Sequence, residues 1–379
     1  MAEYRYISSD LISGAIKGDW LPITPQSFAW QINSAATFTG ALNLTAGTLT
    51  ERAAWVNAIE PRRTVLWVLI DGIPVWNGIL WDWQPSSVLD GTMPFTCSTM
   101  DSLFAHRIIE DDLTFTGTDV FDVFRGLATY ALGKQPNGAV HGLVLGDNEA
   151  GIPVTVTYTG ADLQHVSDAW SALIAQYSIE AAFRAGFDVD GNLTTYLDLG
   201  YPELGQQFPA SGLAYSLPGN LIDYVWNRTG SSSANKIIAT ASDTSATSTG
   251  AAWQSQYPAG YDLKDLGHGY PLLEADATLT TIGVTAQAQI DNYASGLLPT
   301  VTGTQLTPVL YLGNAQGPGV TQISLGSWCQ LALTSPLHPP GPQGQPGYQG
   351  QGRVTGWTLY PPTDTQAEVT WLQLYIPVT

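Results

Sequence analysis

Three consecutive acidic residues, Glu110, Asp111 and Asp112, are the first candidates for catalysis in this sequence. Hydrolysis of a glycosidic bond needs two carboxyl groups about 5–10 Å apart, which act as acid and as base or nucleophile. Adjacent residues of a chain point in different directions, so the run does not supply such a pair by itself. A solvated acidic loop, or a cap before a helix, explains the three side chains equally well.

The segment Asp188–Asn192 resembles the start of a calcium-binding loop, because oxygen-bearing side chains alternate along it. An EF-hand needs further ligands that end in a glutamate, whereas Leu193, Thr194 and Thr195 follow here. The Asp190-Gly191 pair is typical of a tight turn between two strands. We therefore predict a β-hairpin at this place rather than a calcium site.

Other residues that could do chemistry are dispersed. The five histidines, at 106, 141, 165, 268 and 338, include no pair at the spacing of a metal-binding helix. Cys97 and Cys329 are far apart and neither belongs to a CxxC pair, so we expect two buried free thiols and no zinc site. The sequence contains no phosphate-loop, dinucleotide-binding, nucleophile-elbow or zinc-protease motif. We expect no catalytic residue, no cofactor, no metal ion and no enzyme activity.

Composition limits the classes of partner. The 379 residues include 13 Lys or Arg and 32 Asp or Glu, for a net charge of −19, yet only 12% of positions are charged. Proteins that bind nucleic acid by neutralising phosphates, or that dock on anionic membranes, need clustered Lys and Arg. The acid excess excludes both classes. We also expect no secretory signal and no membrane anchor, because no window approaches the roughly 18 apolar residues of a membrane span.

The elements that must position these residues are mostly strands. Thr64–Ile70 and Ile73–Trp81 are apolar at nearly every position, and Asp71-Gly72 joins them as a hairpin turn. Such runs indicate burial on two faces. We expect one face to form a barrel core and the other to contact a second subunit. Further strands are predicted at residues 27–33, 38–44, 92–98, 153–158, 180–187, 193–199, 236–241, 308–312, 328–333, 354–360 and 367–376.

Three segments have helical periodicity. The first begins after Thr118 as its N-cap and ends near Gly133. The second follows Thr159–Asp162 and places Leu163 first on its apolar face. The third is predicted over residues 285–297. Many strands with few helices predict a β-rich α+β fold.

Shifts in composition predict three domains. The acidic step after residue 108 separates an N-terminal β-barrel (1–108) from an α/β insert (109–205). A stretch rich in Pro, Gly and Ser then leads into a C-terminal β-barrel with long loops (206–379).

The segment His338–Gly352 is rich in Gly and Pro, and Gly341, Gly344, Gly347 and Gly350 recur at every third position. Collagen has this period, but so few triplets cannot hold a triple helix alone. The composition favours a polyproline-like loop that extends from a barrel. The alternative is a short collagen-like bundle formed by three copies on a three-fold axis.

Several segments, taken in order, resemble a known family. They are Arg63–Trp81, Ser102–Asp112, Phe187–Pro202, Asn220–Gly230 and Ala234–Ile238. Their order and spacing are similar to those of minor tail proteins of long-tailed (siphovirus-type) actinobacterial phages, specifically the hub subunit at the tail tip. The resemblance covers most of residues 20–379 and rests on hairpins rather than on catalytic motifs.

The resemblance implies a virion protein at the distal end of the tail, synthesised in the host bacterial cytoplasm. It implies a homotrimer in which two tail-tube-like β-barrels per chain form a ring that closes or extends the tail tube. The implied partners are the distal tail protein ring, the tape-measure protein, and tail fibres or receptor-binding proteins. DNA passes through such a hub during ejection without being specifically bound. No peptidase or glycan-cleaving module follows the second barrel, which leads us to expect a purely structural baseplate hub.

On this interpretation the apolar strands at 64–81, 354–360 and 367–376 supply the assembly surfaces. The side chains predicted to form these contacts are Trp67, Leu69, Trp76, Ile79, Trp81, Trp357 and Trp371. Two other functions stay open at this point. One is a cell-wall glycan-acting enzyme that uses Glu110 or Asp112 with another acid, and the other is a carbohydrate-binding adhesion module that uses exposed Trp side chains.

Overall fold

The computed structural model describes most of the chain. The described residues are 2–84, 91–230, 234–241, 253–254, 271–279, 290–291, 293–295, 305–313, 317–363 and 367–376. The first third contains β1 (Tyr4–Asp10), β2 (Ile16–Gly18), β3 (Ile23–Gln31), β4 (Thr37–Asn43), α1 (Leu49–Asn57), β5 (Thr64–Ile70), β6 (Ile73–Trp83) and β7 (Thr92–Ser98). The middle contains β8 (Leu113–Asp119), α2 (Val120–Gly133), β9 (Leu143–Val144), β10 (Pro153–Tyr158), α3 (Val166–Tyr177), β11 (Glu180–Phe187) and β12 (Leu193–Gly200). The last third contains β13 (Ala214–Leu217), β14 (Leu221–Val225), β15 (Arg228–Thr229), β16 (Lys236–Ala241), β17 (Trp253–Gln254), β18 (Glu274–Leu279), β19 (Gln305–Leu306), β20 (Val309–Gly313), β21 (Trp328–Leu333), β22 (Tyr348–Tyr360) and β23 (Val369–Tyr375).

One sheet of 13 strands organises the molecule. Its strand order is β14-β20-β23-β22-β3-β4-β7-β6-β5-β1-β2, and β21 and β13 branch from β22. Strands from the beginning of the chain therefore lie beside strands from its end. The other described strands form small sheets of two or three strands. The prediction of a β-rich α+β fold is confirmed.

Strand β22 joins the two halves of this sheet. Its first part, up to Arg353, pairs with β21, and its second part lies between β23 and β3. The register against β3 places Trp357 beside Trp30, and Leu359 beside Phe28. The Trp357 ring meets the rings of Phe28 and Trp30 edge to face, with centroids 5.8 and 6.0 Å away. Such aromatic pairs add to the free energy gained from burial.

Two hydrophobic cores lie on opposite sides of β5. Alternate residues of a strand point to opposite faces, so Leu66 and Val68 enter a core shared by both halves of the long sheet. Trp67 and Leu69 enter a second core, which α2, α3, β11 and β12 complete. The second face of the apolar hairpin is thus covered by the insert of the same chain, not by the second subunit that we predicted.

The long sheet bends around the first core. The Leu21 N–H donates to the Tyr6 carbonyl oxygen (3.0 Å), which brings the chain before β3 back beside β1. Among the described strands, however, β2, β13 and β14 each have one partner and end the ladder. The two tail-tube-like barrels that we predicted are therefore not found as closed barrels.

Both predicted tight hairpins are confirmed. Asp71 and Gly72 connect β5 to β6 with φ values of 50° and 81°, the positive values that a primed turn requires. In the second hairpin Gly191 has a φ of 82°. The Asp188 carboxylate accepts the N–H groups of Asp190 (2.9 Å) and Asn192 (2.7 Å). It therefore holds the turn between β11 and β12 and is not arranged around a calcium ion.

Helix α2 confirms the first predicted helix but begins after a different cap. The Asp119 carboxylate, rather than Thr118, accepts the Phe121 N–H (2.9 Å). It also accepts the Gly151 N–H (2.7 Å), so one side chain starts the helix and ties it to the loop before β10. These hydrogen bonds outweigh the effect of burial and lower the pKa of Asp119.

The other helices differ more from the prediction. Helix α3 begins at Val166, and Leu163, which we predicted on its apolar face, has a φ of 50° and is exposed. In the third predicted helix, residues 290–291 and 293–295 are helical, and the rest lies outside the described residues. Helix α1 was not predicted. It has no fully buried residue and starts with a capping box formed by Thr48 and Glu51, so it lacks the apolar stripe that identifies a helix in a sequence.

The Gly-Pro segment forms a closed turn and a strand. The Gly341 N–H donates to the Gln345 carbonyl oxygen (2.9 Å), and Gln343 has a φ of 61°. From Tyr348 onward the segment belongs to β22. Both a polyproline-like loop and a collagen-like bundle require a φ of about −75° throughout. The conformation of this segment therefore agrees with neither prediction.

We expect the joint between β3 and β22 to control stability. Trp357→Ala removes a side chain that is 1% exposed and should lower the free energy of unfolding by about 3–5 kcal/mol. The matched control is Trp371→Ala, on the adjacent strand β23 and on the outer side of the same sheet, where the side chain is 39% exposed and the loss should be about 1 kcal/mol or less. Urea denaturation of both variants measures the difference, and equal losses would contradict a central role of this joint.

Candidate assembly surface

A face without charge covers the outer side of the long sheet, away from the first core. It is formed by β20, β23, β22, β3, β4 and β7, and Arg353 is the single charged residue in these six strands. Cross-strand partners place the outward residues in a continuous band: Tyr311, Trp371, Thr358 and Ala29, then Ser27, Thr39 and Thr96. Acidic side chains flank the band, Asp223 on β14 and Asp82 on β6. We call this band the neutral face.

Three aromatic rings form the most apolar part of the neutral face. The Trp371 ring lies 5.4 Å from the Tyr311 ring and 4.7 Å from the Tyr360 ring, centroid to centroid. Trp371 is 39% exposed, and the two tyrosines are half-buried. We call these three residues the aromatic patch. An aromatic cluster that remains accessible on a sheet face is typical of a contact surface.

Arg353 adds no exposed charge to the neutral face because its side chain is buried within the chain. It forms a bidentate ion pair with Glu180 of β11, and its Nε donates to the Gly326 carbonyl oxygen (2.9 Å). Glu180 in turn accepts the Leu204 N–H (2.7 Å). The exposed fractions of the two charged side chains are 6% and 15%. This pair ties the insert to the joint strand β22, and removal of Arg353 would leave the largely buried carboxylate of Glu180 without its cationic partner.

The residues predicted to contact other subunits fall into two groups. Five of them are at most 4% exposed inside the chain: Trp67, Leu69, Trp76, Ile79 and Trp357. Trp81 is half-buried, and its Nε1 donates to Ser102 Oγ (2.8 Å). Trp371 lies in the aromatic patch. The side chains available to a second protein are therefore Trp371 and the accessible part of Trp81, while the other five hold the chain together.

The neutral face was missed at first because it depends on strand register. Tyr311, Thr358 and Tyr360 come from strands far apart in the sequence, and only their pairing brings them into one band. A usable signal was present, since consecutive predicted strands lacked charged residues. We expected residues 354–360 and 367–376 to supply assembly surfaces, but not that the outward residues of β20, β3, β4 and β7 would join them in one band.

Most negative charge lies elsewhere. Residues 109–205 contain 14 of the 32 acidic side chains and 3 of the 13 basic ones. The acidic run of the insert has structural partners: Glu110 pairs with Lys134 Nζ (2.8 Å), Asp111 accepts the Tyr130 hydroxyl (3.0 Å), and Asp112 accepts the Gly160 N–H (2.8 Å). Three acids that each hold a different neighbour do not form the paired carboxyl groups of a glycosidase.

The remaining candidates for chemistry also have structural roles. Cys97 and Cys329 are buried free thiols, and burial raises the pKa of Cys329 to about 12. The His106 ring packs 4.6 Å from the Trp81 ring, and His165 occupies the N-cap of α3. Within the part of the chain that the structure describes, no His, Cys, Asp or Glu side chains are grouped as metal ligands, and no helix is long and apolar enough to cross a membrane.

A buried carboxyl group links the two ends of the chain beside this surface. Glu368, just before β23, is 7% exposed and accepts a short hydrogen bond from the Tyr4 hydroxyl of β1. Burial raises the pKa of Glu368, and nearby Asp71 adds to the rise, whereas the Tyr4 hydrogen bond opposes it. Burial, followed by the contact with Glu368, raises the pKa of Tyr4. The ionised form of Glu368 therefore costs stability in the folded state.

Glu368→Gln should therefore stabilise the protein in a pH-dependent way. A carboxyl group whose pKa is raised by folding favours the folded state at acidic pH, and this contribution is lost as the pH rises above the usual value of 4.5. We expect the Gln variant to have a Tm about 1–3 °C above wild type at about pH 8, and the same Tm at about pH 4. Glu149→Gln, at an exposed glutamate of the insert, serves as the control. A constant difference across this pH range would refute the assignment.

The fold is similar to that of solved phage tail proteins. The Cα trace matches a tail protein from Neisseria meningitidis with a TM-score of 0.56 and 12% identity, covering 98% of this chain and 96% of that one. It matches a 43 kDa tail protein of prophage MuSo2 from Shewanella oneidensis with a TM-score of 0.57 and 12% identity, covering 99% of both chains.

A prophage tail protein from Listeria monocytogenes has a TM-score of 0.54 and 11% identity, with 98% of this chain and 94% of that chain covered. No protein-family model and no curated protein matches the sequence. At such low identity the likeness is one of fold. It extends over nearly the whole length of each protein, so the two halves of the long sheet and the insert together make up the shared fold.

Proposed function

We propose that this chain is a structural subunit of a phage tail and that three copies form the distal hub at the tail tip. The observation that carries the proposal is the neutral face, which crosses from strands of the N-terminal half to strands of the C-terminal half. The similarity of fold to tail proteins from three bacteria supports the same assignment. The lineage that the sequence resembles, long-tailed actinobacterial phages, is part of this proposal.

The charge distribution supports assembly through the neutral face. Two copies of a chain with a net charge of −19 repel each other wherever their acidic surfaces approach. Protein interfaces are depleted in charged residues at their centre and enriched in aromatic ones. The neutral face has both properties, because its accessible side chains are Thr, Ser, Ala, Tyr and Trp. It is therefore the part of the described surface best suited to contact between copies.

The arrangement of the halves supports a hub. Each chain contributes an N-terminal half (1–108) and a C-terminal half (206–379) to one bent sheet, and on this proposal three copies place six such halves around an axis. The acidic insert (109–205) would then lie outside the ring formed by the two halves. On this proposal the hub contacts the distal tail ring, the tape-measure protein, and fibres or receptor-binding proteins. DNA crosses its channel without a specific binding site.

A single charge on the neutral face tests this proposal. Thr358 is half-buried between Ala29 and Trp371, and Thr358→Glu places a carboxylate at the centre of the band. Because like charges across an interface cost several kcal/mol, we expect self-association to weaken at least about tenfold. Thr157→Glu is the matched control, since Thr157 is an exposed threonine of strand β10 in the insert.

Sedimentation velocity over a range of concentrations measures the effect, and circular dichroism verifies that both variants keep the fold. We expect wild type and Thr157→Glu to form trimers, and Thr358→Glu to sediment as a monomer at the same concentration. Equal association of all three proteins would contradict the use of the neutral face for assembly.

A further inference from the structure

Within the described residues, a cleft separates the insert from the C-terminal half. It has a volume of about 820 Å³, which lies in the range of about 300–1,000 Å³ that is usual for ligand sites. The hairpin β11–β12 forms one wall, residues 320–325 form the opposite wall, and the ring of Trp30 lines the cleft between them. Ligands often bind where separate parts of a fold meet. We call this cavity the junction cleft.

The hairpin wall presents an ordered group of polar and aromatic side chains. Leu197 and Leu199 enter the second core, so Tyr196 and Asp198 lie on the opposite face of β12, which lines the cleft. Arg184 of β11 donates from Nε and Nη2 to the two Asp198 carboxylate oxygens (2.7 and 3.2 Å), and its guanidinium carbon lies 4.7 Å from the centroid of the Tyr196 ring. A guanidinium has five N–H groups and a carboxylate has about four acceptor sites, so this pair can also bind a ligand.

The opposite wall is similarly divided between core and cleft. Val320 and Ile323 belong to the first core. Thr321, Gln322 and Ser324 are exposed and line the cleft. This wall therefore offers hydroxyl and amide groups without any charge.

Two further parts of the lining are held in place by hydrogen bonds. Asn148 Nδ2 donates to the Leu199 carbonyl oxygen (2.9 Å), which fixes the loop that presents the exposed Asp147 beside β12. The Gln206 N–H donates to Ser327 Oγ (3.1 Å), while the Gln206 side chain is exposed. A site that is ordered before it binds loses little conformational entropy when the ligand arrives.

The lining specifies an uncharged ligand that is rich in hydroxyl groups. Its charged residues are two acids, Asp147 and Asp198, and one base, Arg184. Because the chain has a net charge of −19, an anionic ligand is repelled. The other polar groups are hydroxyls and amides, and Tyr196 and Trp30 add aromatic surface. A sugar combines hydroxyl groups with an apolar C–H face, so it matches both kinds of lining.

An extended peptide fits this lining less well. Peptides that bind by strand addition need the unpaired main-chain groups of a sheet edge. The hairpin wall instead turns the face of its sheet toward the cleft, with Arg184, Tyr196 and Asp198. Side chains therefore supply the hydrogen bonds, which suits a ligand with hydroxyl groups better than one with a peptide backbone.

We propose that the junction cleft binds a neutral oligosaccharide. Tyr196 supplies the ring on which a sugar packs, and the Arg184–Asp198 pair binds its hydroxyl groups. Thr321 and Gln322 contact the ligand from the opposite wall. This function goes beyond the proposed assembly, because every residue of the cleft belongs to one chain and the site is complete in a single copy.

A glycan array probed with the full chain tests the class of ligand. The array includes chitotriose, cellotriose and maltotriose as neutral trisaccharides, together with oligosaccharides that carry uronic acids or sulfates. We expect binding to neutral oligosaccharides and weaker binding to acidic ones, because of the negative charge of the chain. Absence of binding to every neutral oligosaccharide, or a preference for acidic ones, would overturn the inference.

Two variants test whether the sugar lies in the cleft, and calorimetric titration with the strongest neutral binder measures them. Tyr196→Ala removes the ring, and Thr321→Trp fills the cleft from an exposed position and so keeps the test decisive if Tyr196→Ala unfolds. Each should weaken binding at least about tenfold. The matched controls lie outside the cleft lining: Trp20→Ala, at a side chain that is 57% exposed, and Thr157→Trp, at an exposed threonine of β10. Both should bind like wild type.

The outcomes separate this inference from the proposed assembly. Equal binding by all four variants would place the sugar elsewhere and overturn the inference. Peptide capture on a parallel peptide array, blocked by Thr321→Trp and without any glycan binding, would assign the cleft to a protein partner and also overturn it. Neither result changes self-association, which sedimentation velocity measures independently.

Discussion

The pairing of β3 with β22 is the constraint on which the rest of the structure depends. Residues 28–31 and 356–359 belong to opposite ends of the chain, yet they are hydrogen-bonded neighbours in one sheet. This pairing gives the two halves a common core, centred on Phe28, Trp30 and Trp357, and it aligns their outer sides in one neutral face. The Arg353–Glu180 ion pair then attaches the insert to the same strand. Both the architecture and the candidate surface therefore depend on the pairing of β22 with its neighbouring strands.

Local features of the fold were predictable from the sequence, and their assembly was not. The hairpins at Asp71-Gly72 and Asp190-Gly191 follow from turn chemistry that involves only adjacent residues. Strands β1, β13 and β14 were not predicted, and the long sheet depends on pairings between residues hundreds of positions apart. Helix α1 was missed because hydrogen bonds at its cap, rather than an apolar stripe, define it. The cap of helix α2 is Asp119 rather than the predicted Thr118, because the Asp119 carboxylate also accepts the N–H of Gly151 in a distant loop.

The candidate surface was predicted only in part, because an apolar strand shows that a face is covered and not what covers it. Full apolarity of β5 and β6 correctly indicated two covered faces, but a sequence does not distinguish a second subunit from another part of the same chain. Five of the seven proposed contact residues therefore proved to be internal, and Trp371 became the central accessible residue. The low fraction of charged residues has a more specific meaning after the structure is known. Acidic residues are concentrated in the insert. The six strands of the neutral face contain a single charged residue, the buried Arg353.

The most direct test of the central claim is an electron cryo-microscopy reconstruction of the purified full chain. The account predicts three copies around an axial channel, with the neutral faces of adjacent copies in contact and the acidic inserts at the periphery. A reconstruction of an assembly in which the neutral face, including Thr358 and Trp371, is exposed to solvent would contradict the account.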